Sequence, residues 1–283
     1  MILRNVAIVS ETNRISMNEL TRVSAALQKQ AVRDLGPVWN VQSTVDAFAS
    51  LEDVPVGTWP IIVEDDIHTD GAAGIHEDND GQPFALVTAD TGWSLTASHE
   101  LIEMLVDPFG KRLTEGQSPK SGQGRVQFLV EPCDPSEATA FAYVINGVRV
   151  SDFYTPKYFS TVFNPADRYS HTGAIKRPRQ VLKGGYLSWH DPVTNHWFQE
   201  IFFTGNSPRF RDLGVLTATG KSFRRQIYDV TRQAFEVRRP TGNETKAVNA
   251  ALMAAAEPMN SRATRWREQI SALKKTKVKK GKG

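Results

Sequence analysis

The chain has 283 residues, of which 23% are charged and 40% hydrophobic, and its formal net charge is +3. These values are ordinary for a soluble globular protein with a sizeable core. The single cysteine, Cys133, excludes a scaffold held by intrachain disulfides. No apolar run has the roughly 20 residues of a membrane-spanning helix, and the N-terminus lacks the apolar segment of an export signal. We therefore expect a cytoplasmic protein without membrane contact.

The basic character belongs to one end of the chain. Between Lys274 and Gly283 the sequence has six lysines and no acid. Removing these six from the net charge of +3 leaves −3, so the remaining chain is mildly acidic. Such a tail is expected to be disordered. It predicts either weak, sequence-independent contact with nucleic acid or only a solubilising end.

The first half of the chain predicts strands around one long helix. Ser16 and Glu19 form a capping box, and the apolar stripe that follows predicts a helix ending at Gly36-Pro37. Asp80-Gly81 predicts the turn of a hairpin. A second helix, capped by Ser94 or Thr96, should end before Pro108. Strands are predicted at 5–10, 41–48, 59–63, 75–77 and 84–87.

The second half predicts a β-rich region followed by helices. A polar segment over 111–123 predicts a surface loop. Asn146-Gly147 predicts a hairpin turn within 141–150. A strand at 125–130 and a hairpin over 184–203 follow from their apolar and aromatic content. Helices are predicted over 243–257 and 261–273.

The segment 98–108 carries the chemistry, with the sequence Ser-His-Glu-Leu-Ile-Glu-Met-Leu-Val-Asp-Pro. On a helix, His99 and Glu103 project from one face and can reach a common ion. Glu100 lies about 100° around the helix from His99. This arrangement is that of the zinc motif H-E-x-x-H, except that Glu103 replaces the second histidine.

A third metal ligand is expected downstream, after the strand at 125–130. Glu131 is the first choice because neighbouring prolines would hold it rigid, and Asp134 is the alternative. Asp107 lies two helical turns from His99, too far to share the ion, and is expected to cap the turn at Pro108.

The predicted ligands bear on the chemistry of the site. Zinc held by His99, Glu103 and Glu131 would have a net charge near zero, so its bound water should be less acidic than usual. Oxygen ligands also widen the choice of metal toward manganese or magnesium. In a hydrolase, Glu100 would act as general base. His76, Tyr154 and Tyr158 are candidates to contact the substrate or stabilise an oxyanion, and the sequence does not choose among them.

Segment 98–108, followed by Glu131-Pro132-Cys133-Asp134, resembles a group of uncharacterised zincin-like metallopeptidases from bacteria and phages. They share Ser-His-Glu-x-x-Glu, then Asp-Pro, and later Glu-x-x-Asp or Glu-x-Cys-Asp; stretches 25–39, 72–76 and 150–159 are also similar. The resemblance implies an α+β fold with a mixed sheet, a backing helix and an active-site helix. It implies His99, Glu100, Glu103 and Glu131 at the site, but no particular substrate.

The expected organisation has three parts: a zincin-like metal-binding domain over 1–165, a β-rich region over 166–242 packed on it, and a helical segment with the basic tail over 243–283. The function expected is that of a zinc-dependent peptidase acting on a peptide or protein. The alternative is a catalytically degenerate zincin fold with a structural role, for instance in a phage or mobile element. Taken alone, H-E-x-x-E also occurs by chance on exposed acidic helices. Cys133 is expected to be a small buried residue beside the site.

Overall fold

The computed structural model describes residues 3–69, 72–217 and 220–231. The helices predicted at 243–257 and 261–273 and the lysine tail lie outside the described residues. By its internal contacts the described part of the chain belongs to one compact unit, apart from residues 146–148. The described strands are β1 (Leu3–Ser10), β2 (Gln42–Phe48), β3 (Trp59–Glu64), β4 (Gly74–Asn79), β5 (Gln82–Thr88), β6 (Leu113–Gln117), β7 (Arg125–Leu129), β8 (Tyr143–Ile145), β9 (Val148–Val150), β10 (Tyr186–Asp191), β11 (His196–Ile201) and β12 (Arg209–Gly214). The described α-helices are α1 (Met17–Lys29), α2 (Gly36–Trp39), α3 (Trp93–Val106) and α4 (Phe223–Thr231).

The fold is α+β, as predicted: a mixed five-strand sheet with helices precedes an antiparallel β-rich region. The first sheet has the order β2-β1-β3-β5-β4, in which β1, β2, β3 and β5 are parallel. Strand β4 pairs antiparallel with β5 and forms one edge. The predicted turn joins these two strands, and Asp80 and Gly81 both have positive φ, at 51° and 83°.

The first helix is longer than predicted. Ser16 caps α1 as expected, because its Oγ accepts a hydrogen bond from the Glu19 amide at 3.2 Å. A π-helical turn (Gln30–Leu35) then connects α1 directly to α2, which ends at Trp39 and is followed by Asn40 with φ 56°. The prediction that the helix stops at Gly36-Pro37 is wrong. The wide turn places the proline in the first turn of α2, where its missing N–H is not needed.

Helices α1 and α3 contact each other and so share one face of the first sheet. The Trp93 indole donates to Glu19 Oε1 at 3.0 Å. The Ser98 hydroxyl donates to Oε1 of the buried Gln30 at 2.7 Å, and Gln30 belongs to the π-helical turn. The predicted cap of α3 at Ser94 or Thr96 is wrong, since the helix begins at Trp93 after Gly92 without a side-chain cap.

The second sheet is antiparallel and has the order β12-β11-β10-β7-β6. Its β10–β11 hairpin confirms the prediction over 184–203. The segment predicted as a surface loop over 111–123 contains β6, which pairs with β7. An aromatic core including Phe128, Tyr158 and Trp189 fills this region. Because β6 and β7 pair in the same sheet as β10–β12, strands from both sides of residue 165 build it.

Strands β8 and β9 form a separate two-stranded sheet, whose turn residues Asn146 and Gly147 have φ of 51° and 77°. The predicted hairpin turn at this position is confirmed. No helix among the described residues is both long and apolar enough to cross a membrane.

Candidate metal centre

Helix α3 brings His99 and Glu103 together, as their four-residue spacing predicts. His99 Nε2 lies 3.3 Å from Glu103 Oε2. The Glu103 side chain is fully buried and that of His99 is 12% exposed. The chance alternative of an exposed acidic helix is therefore wrong for this segment, because ten of its fourteen residues are buried, Glu100 and Glu103 among them.

The segment after β7 supplies both carboxylates that the sequence predicts. Asp134 Oδ1 lies 3.3 Å from His99 Nε2. Glu103, Glu131 and Asp134 each offer an oxygen within 4.8 Å of the others, and all three are buried. The backbone N–H of Cys133 donates to Glu103 Oε1 at 3.2 Å, which ties this segment to α3. Both Glu131 and its alternative Asp134 therefore reach the group formed by α3.

His76 on β4 joins the centre from the sheet edge. Its Nδ1 lies 3.3 Å from Glu100 Oε2 and 3.8 Å from Glu103 Oε2. Its Nε2 lies 3.1 Å from the carbonyl oxygen of Asp107. Because a carbonyl oxygen can only accept, Nε2 donates, and this bond turns Nδ1 toward the two carboxylates. His76 is buried and is not an exposed hairpin residue.

The carboxylate of Asp107 bonds backbone groups outside the centre. Its two oxygens accept the backbone N–H groups of Lys111 and Arg112, at 3.1 and 2.8 Å. The predicted role of Asp107 in capping the turn after α3 is confirmed.

Arg224, on the first turn of α4, is a residue of the centre that the sequence analysis missed. Its Nη1 lies 2.8 Å from Glu103 Oε2 and also contacts Glu131 Oε2. Its Nη2 lies 3.9 Å from Glu100 Oε2. The signal available in the sequence was indirect: buried carboxylates on α3 require a cationic partner, and arginine is the side chain suited to bridge carboxylates.

The charged side chains of α3 and of the neighbouring segments shift one another's pKa values. Burial acts to raise the pKa of Glu103, but His99 and Arg224 hold it far below its ordinary range. Burial acts to lower the pKa of His99, but Glu103 and Asp134 raise it well above its ordinary value. Burial, together with the charge of Glu103, raises the pKa of Asp134 well above the usual range. Glu103 is thus the anionic side chain of the centre, and its charge raises the pKa values of His99 and Asp134.

Glu137 is a second residue that the sequence analysis did not single out. It offers an oxygen to the group that contains His99 and Asp134. Burial raises the pKa of Glu137 to about 8, and the negative charges of Glu103 and Glu100 add to this increase. It follows Asp134 within one short helical turn, so no periodic pattern distinguishes it in the sequence.

The two predicted tyrosines lie in the aromatic core beside the centre. Their rings stack with centroids 4.3 Å apart. The Tyr158 hydroxyl donates to the carbonyl oxygen of Gln180, away from the carboxylates. The Tyr154 hydroxyl has no hydrogen-bond partner among the described residues. Burial and then the charges of Tyr158 and Glu103 raise the pKa of Tyr154 well above its ordinary value. Of the two, Tyr154 is the one with a free hydroxyl.

Cys133 is fully buried next to the centre, as predicted. Its Sγ lies 3.8 Å from the carbonyl oxygen of His99. Burial raises the pKa of the Cys133 thiol well above its ordinary value, and the charge of Glu103 adds to the shift. A thiol held in its neutral form is a poor nucleophile, which supports a packing role.

The geometry around His99 suits a metal ion. Adjacent ligands of a tetrahedral zinc ion, each at about 2.0–2.1 Å from it, lie roughly 3.3 Å apart. The distances from His99 Nε2 to Glu103 Oε2 and to Asp134 Oδ1 are both 3.3 Å. Charge-assisted hydrogen bonds are shorter, at about 2.7–2.9 Å. Glu131 Oε1 is buried and has no hydrogen-bond partner among the described residues. These buried histidine and acidic side chains could therefore hold a metal ion, whose identity the donor set does not fix.

Comparison of the chain with models of protein families, with curated proteins and with solved structures gives no match.

Proposed function

We propose that this protein is a zincin-like metal-dependent hydrolase that acts on peptides or proteins. His99, Glu103 and Glu131 are its metal ligands, with Asp134 within reach of the same ion. One observation carries the proposal: Glu103 of α3 and Asp134 of the segment after β7 each lie 3.3 Å from His99 Nε2, and Glu131, which groups with these two carboxylates, has an Oε1 without a partner among the described residues. Burying several carboxylates together is costly unless cations balance them.

The architecture around the centre supports a zincin-like fold. Helices α1 and α3 share one face of a mixed sheet whose edge strand β4 is antiparallel to its neighbour. The motif helix α3 lies against β4 and β5, and β4 contributes His76. This arrangement agrees with the sequence resemblance to zincin-like metallopeptidases. That resemblance depends on segment 98–108 and on Glu131-Pro132-Cys133-Asp134.

Each side chain has a defined part in the proposed reaction. A bound divalent ion would supply Lewis acidity toward a scissile carbonyl and toward water. Glu100 is the general base, and its carboxylate lies 3.3 Å from His76 Nδ1. Tyr154 offers a free hydroxyl as hydrogen-bond donor beside the centre. Glu103, in place of a neutral histidine, lowers the net charge of the centre, which favours oxygen-preferring ions such as manganese as well as zinc.

The experiment that tests the proposal is the metal content of protein purified without chelator, measured by mass spectrometry. We expect one equivalent of zinc or manganese in the wild type and its loss in His99→Ala and in Glu103→Ala. His68→Ala is the control, because that histidine side chain is 88% exposed and belongs to none of the candidate metal groups among the described residues. A wild type without metal after reconstitution, or one whose metal survives both substitutions, would refute the proposal.

Arg224 favours one alternative, a metal-free zincin-like scaffold with a structural role. Its guanidinium already contacts Glu103 and Glu131, so it supplies part of the counter-charge that these carboxylates need. In that case the wild type would contain no metal and would leave peptides uncleaved. Weak binding of nucleic acid through the lysine tail is compatible with both functions. Its test is retention on heparin before and after deletion of residues 274–283.

A further inference from the structure

We propose that the guanidinium of Arg224 and a divalent metal ion are alternative cations for the same carboxylates, so that Arg224 sets the affinity of the centre for metal. The inference rests on the proposed function, since it concerns the metal site named there. It adds a residue from α4, far from the motif in sequence, to the determinants of that site.

The contacts of Arg224 coincide with two of the predicted ligands. A single nitrogen, Nη1, contacts Oε2 of both Glu103 and Glu131. Glu103 Oε2 is also the oxygen that lies 3.3 Å from His99 Nε2. A cation on this oxygen and an ion between Glu103 and His99 would draw on the same negative charge. Two positive centres this close repel each other strongly.

The guanidinium leaves part of the acidic group without a partner. Glu103, Glu131 and Asp134 offer oxygens within 4.8 Å of one another, and Glu100 shares a second group with Glu103 and His76. Arg224 Nη2 lies 3.9 Å from Glu100 Oε2, beyond hydrogen-bonding distance, and Glu131 Oε1 has no partner among the described residues. A divalent ion carries twice the charge of arginine and binds carboxylate oxygens at shorter distances. The ion can therefore displace a guanidinium that satisfies the carboxylates incompletely.

Arg224 can leave the centre while α4 stays in place. Its side chain is 16% exposed, whereas those of Glu103 and Glu131 are 0% and 5% exposed, so it enters from the surface side. Helix α4 has other anchors. Arg225 pairs with Glu77 on β4 at 2.7 Å. Ile227 is buried with Leu129 and Trp197. Rotation of one side chain therefore suffices to exchange the cations.

The first test is a zinc titration in competition with a chromophoric chelator, on the full chain. We expect Arg224→Gln to bind zinc at least about tenfold more tightly than the wild type, because a nearby positive charge is removed. Arg224→Lys, which keeps the charge but not the bridging contact, should fall between them. Arg225→Gln is the matched control and should bind like the wild type. Equal or weaker binding by Arg224→Gln would overturn the inference.

A second measurement uses the wild type alone and does not depend on how the variants fold. Phenylglyoxal modifies accessible guanidinium groups, and peptide mass spectrometry locates the product. We expect Arg224 to be protected in the metal-free protein and modified once one equivalent of zinc is bound, while the modification of Arg225 does not change. Protection of Arg224 in both forms would overturn the inference.

The outcomes separate this inference from the proposed function. If neither the wild type nor Arg224→Gln takes up zinc in a manner that requires His99, the proposed function fails. If both take up His99-dependent zinc with the same affinity, the proposed function stands and only the role of Arg224 is wrong.

Discussion

Helix α3 and the antiparallel sheet each bury a glutamate, and the two differ in their surroundings. Glu103 on α3 is fully buried, and Glu200 on β11 is 8% exposed. Burial acts to raise the pKa of both. For Glu103, His99 and Arg224 overcome this effect and hold the pKa far below its ordinary range. For Glu200, burial prevails and raises the pKa to about 7, since Arg177 opposes it only in part.

The difference lies in partners and not in depth. Glu103 Oε1 accepts the Cys133 amide, and its Oε2 contacts His99 and Arg224. Glu200 Oε2 has no hydrogen-bond partner among the described residues. A buried carboxylate stays ionised only where donors and cations face it. Glu103 is therefore held as an anion by its partners, whereas the antiparallel sheet contains a carboxyl group that is easily neutralised.

The strongest test of the comparison removes Glu103. Glu103→Ala leaves the Cys133 amide, His99 and Arg224 without their common acceptor, so we expect the free energy of unfolding to fall by about 3–5 kcal/mol. The measurement is denaturant unfolding in the presence of a chelator, which removes any contribution of metal. Glu115→Ala is the control, because its exposed pair with Arg125 contributes at most about 1 kcal/mol. A loss as small as that of the control would mean that the partners of Glu103 contribute nothing.

The second test concerns the pH dependence of Glu200. Its pKa is raised in the folded state, so its contribution to stability is fully present below the ordinary value of 4.5 and is lost as pH rises through about 7. Glu200→Gln cannot ionise and should escape this loss. We expect the variant to gain on the wild type by up to about 3 kcal/mol between pH 4 and pH 9, measured as unfolding free energies at several pH values. A stability difference that does not change with pH would refute the raised pKa.

The smallest effect is expected from the packing that holds Glu100 in position. A Cβ atom at Gly74 would lie 2.5 Å from Thr96 Cγ2 and 2.9 Å from Glu100 Oε1. Gly74→Ala should therefore push β4 away from α3 and lower the unfolding free energy by about 1–3 kcal/mol. At Gly124 a Cβ would meet nothing within 4 Å, which makes Gly124→Ala the matched control. Equal stability of the two variants would show that β4 can shift without cost.

Much of the first sheet and of α3 could be predicted because the signals are local. Asp80-Gly81 defines its hairpin turn within two residues, and the four-residue spacing of His99 and Glu103 places both on one side of a helix. The sequence also restricted the carboxylates after β7 to Glu131 and Asp134, and the structure brings both into the centre. Which of them binds an ion stays a prediction.

The errors arose where long-range contacts decide the structure. The polar segment that contains β6 has no strand pattern of its own, and pairing with β7 makes it a strand. Arg224 lies 121 residues beyond Glu103, and nothing near α4 in the sequence indicates its partner. The extension of the first helix past Pro37 depends on the π-helical turn, which propensity does not predict.

The π-helical turn also sets a requirement on chain length. A π-turn contains one residue more than an α-helix needs to cover the same rise. Gln30 within it bonds Ser98 of α3 through its Oε1, and its Nε2 donates to the carbonyl oxygen of Ser151 at 3.0 Å. Deleting one residue from Gln30–Leu35 would close the wide turn to an α-helical one and remove the local geometry that places Gln30 between Ser98 and Ser151. A relative with the same connection between α1 and α2 must therefore also keep the extra residue. In a sequence alignment, a gap at this position would indicate a changed connection, just as a substitution in segment 98–108 would indicate a changed centre.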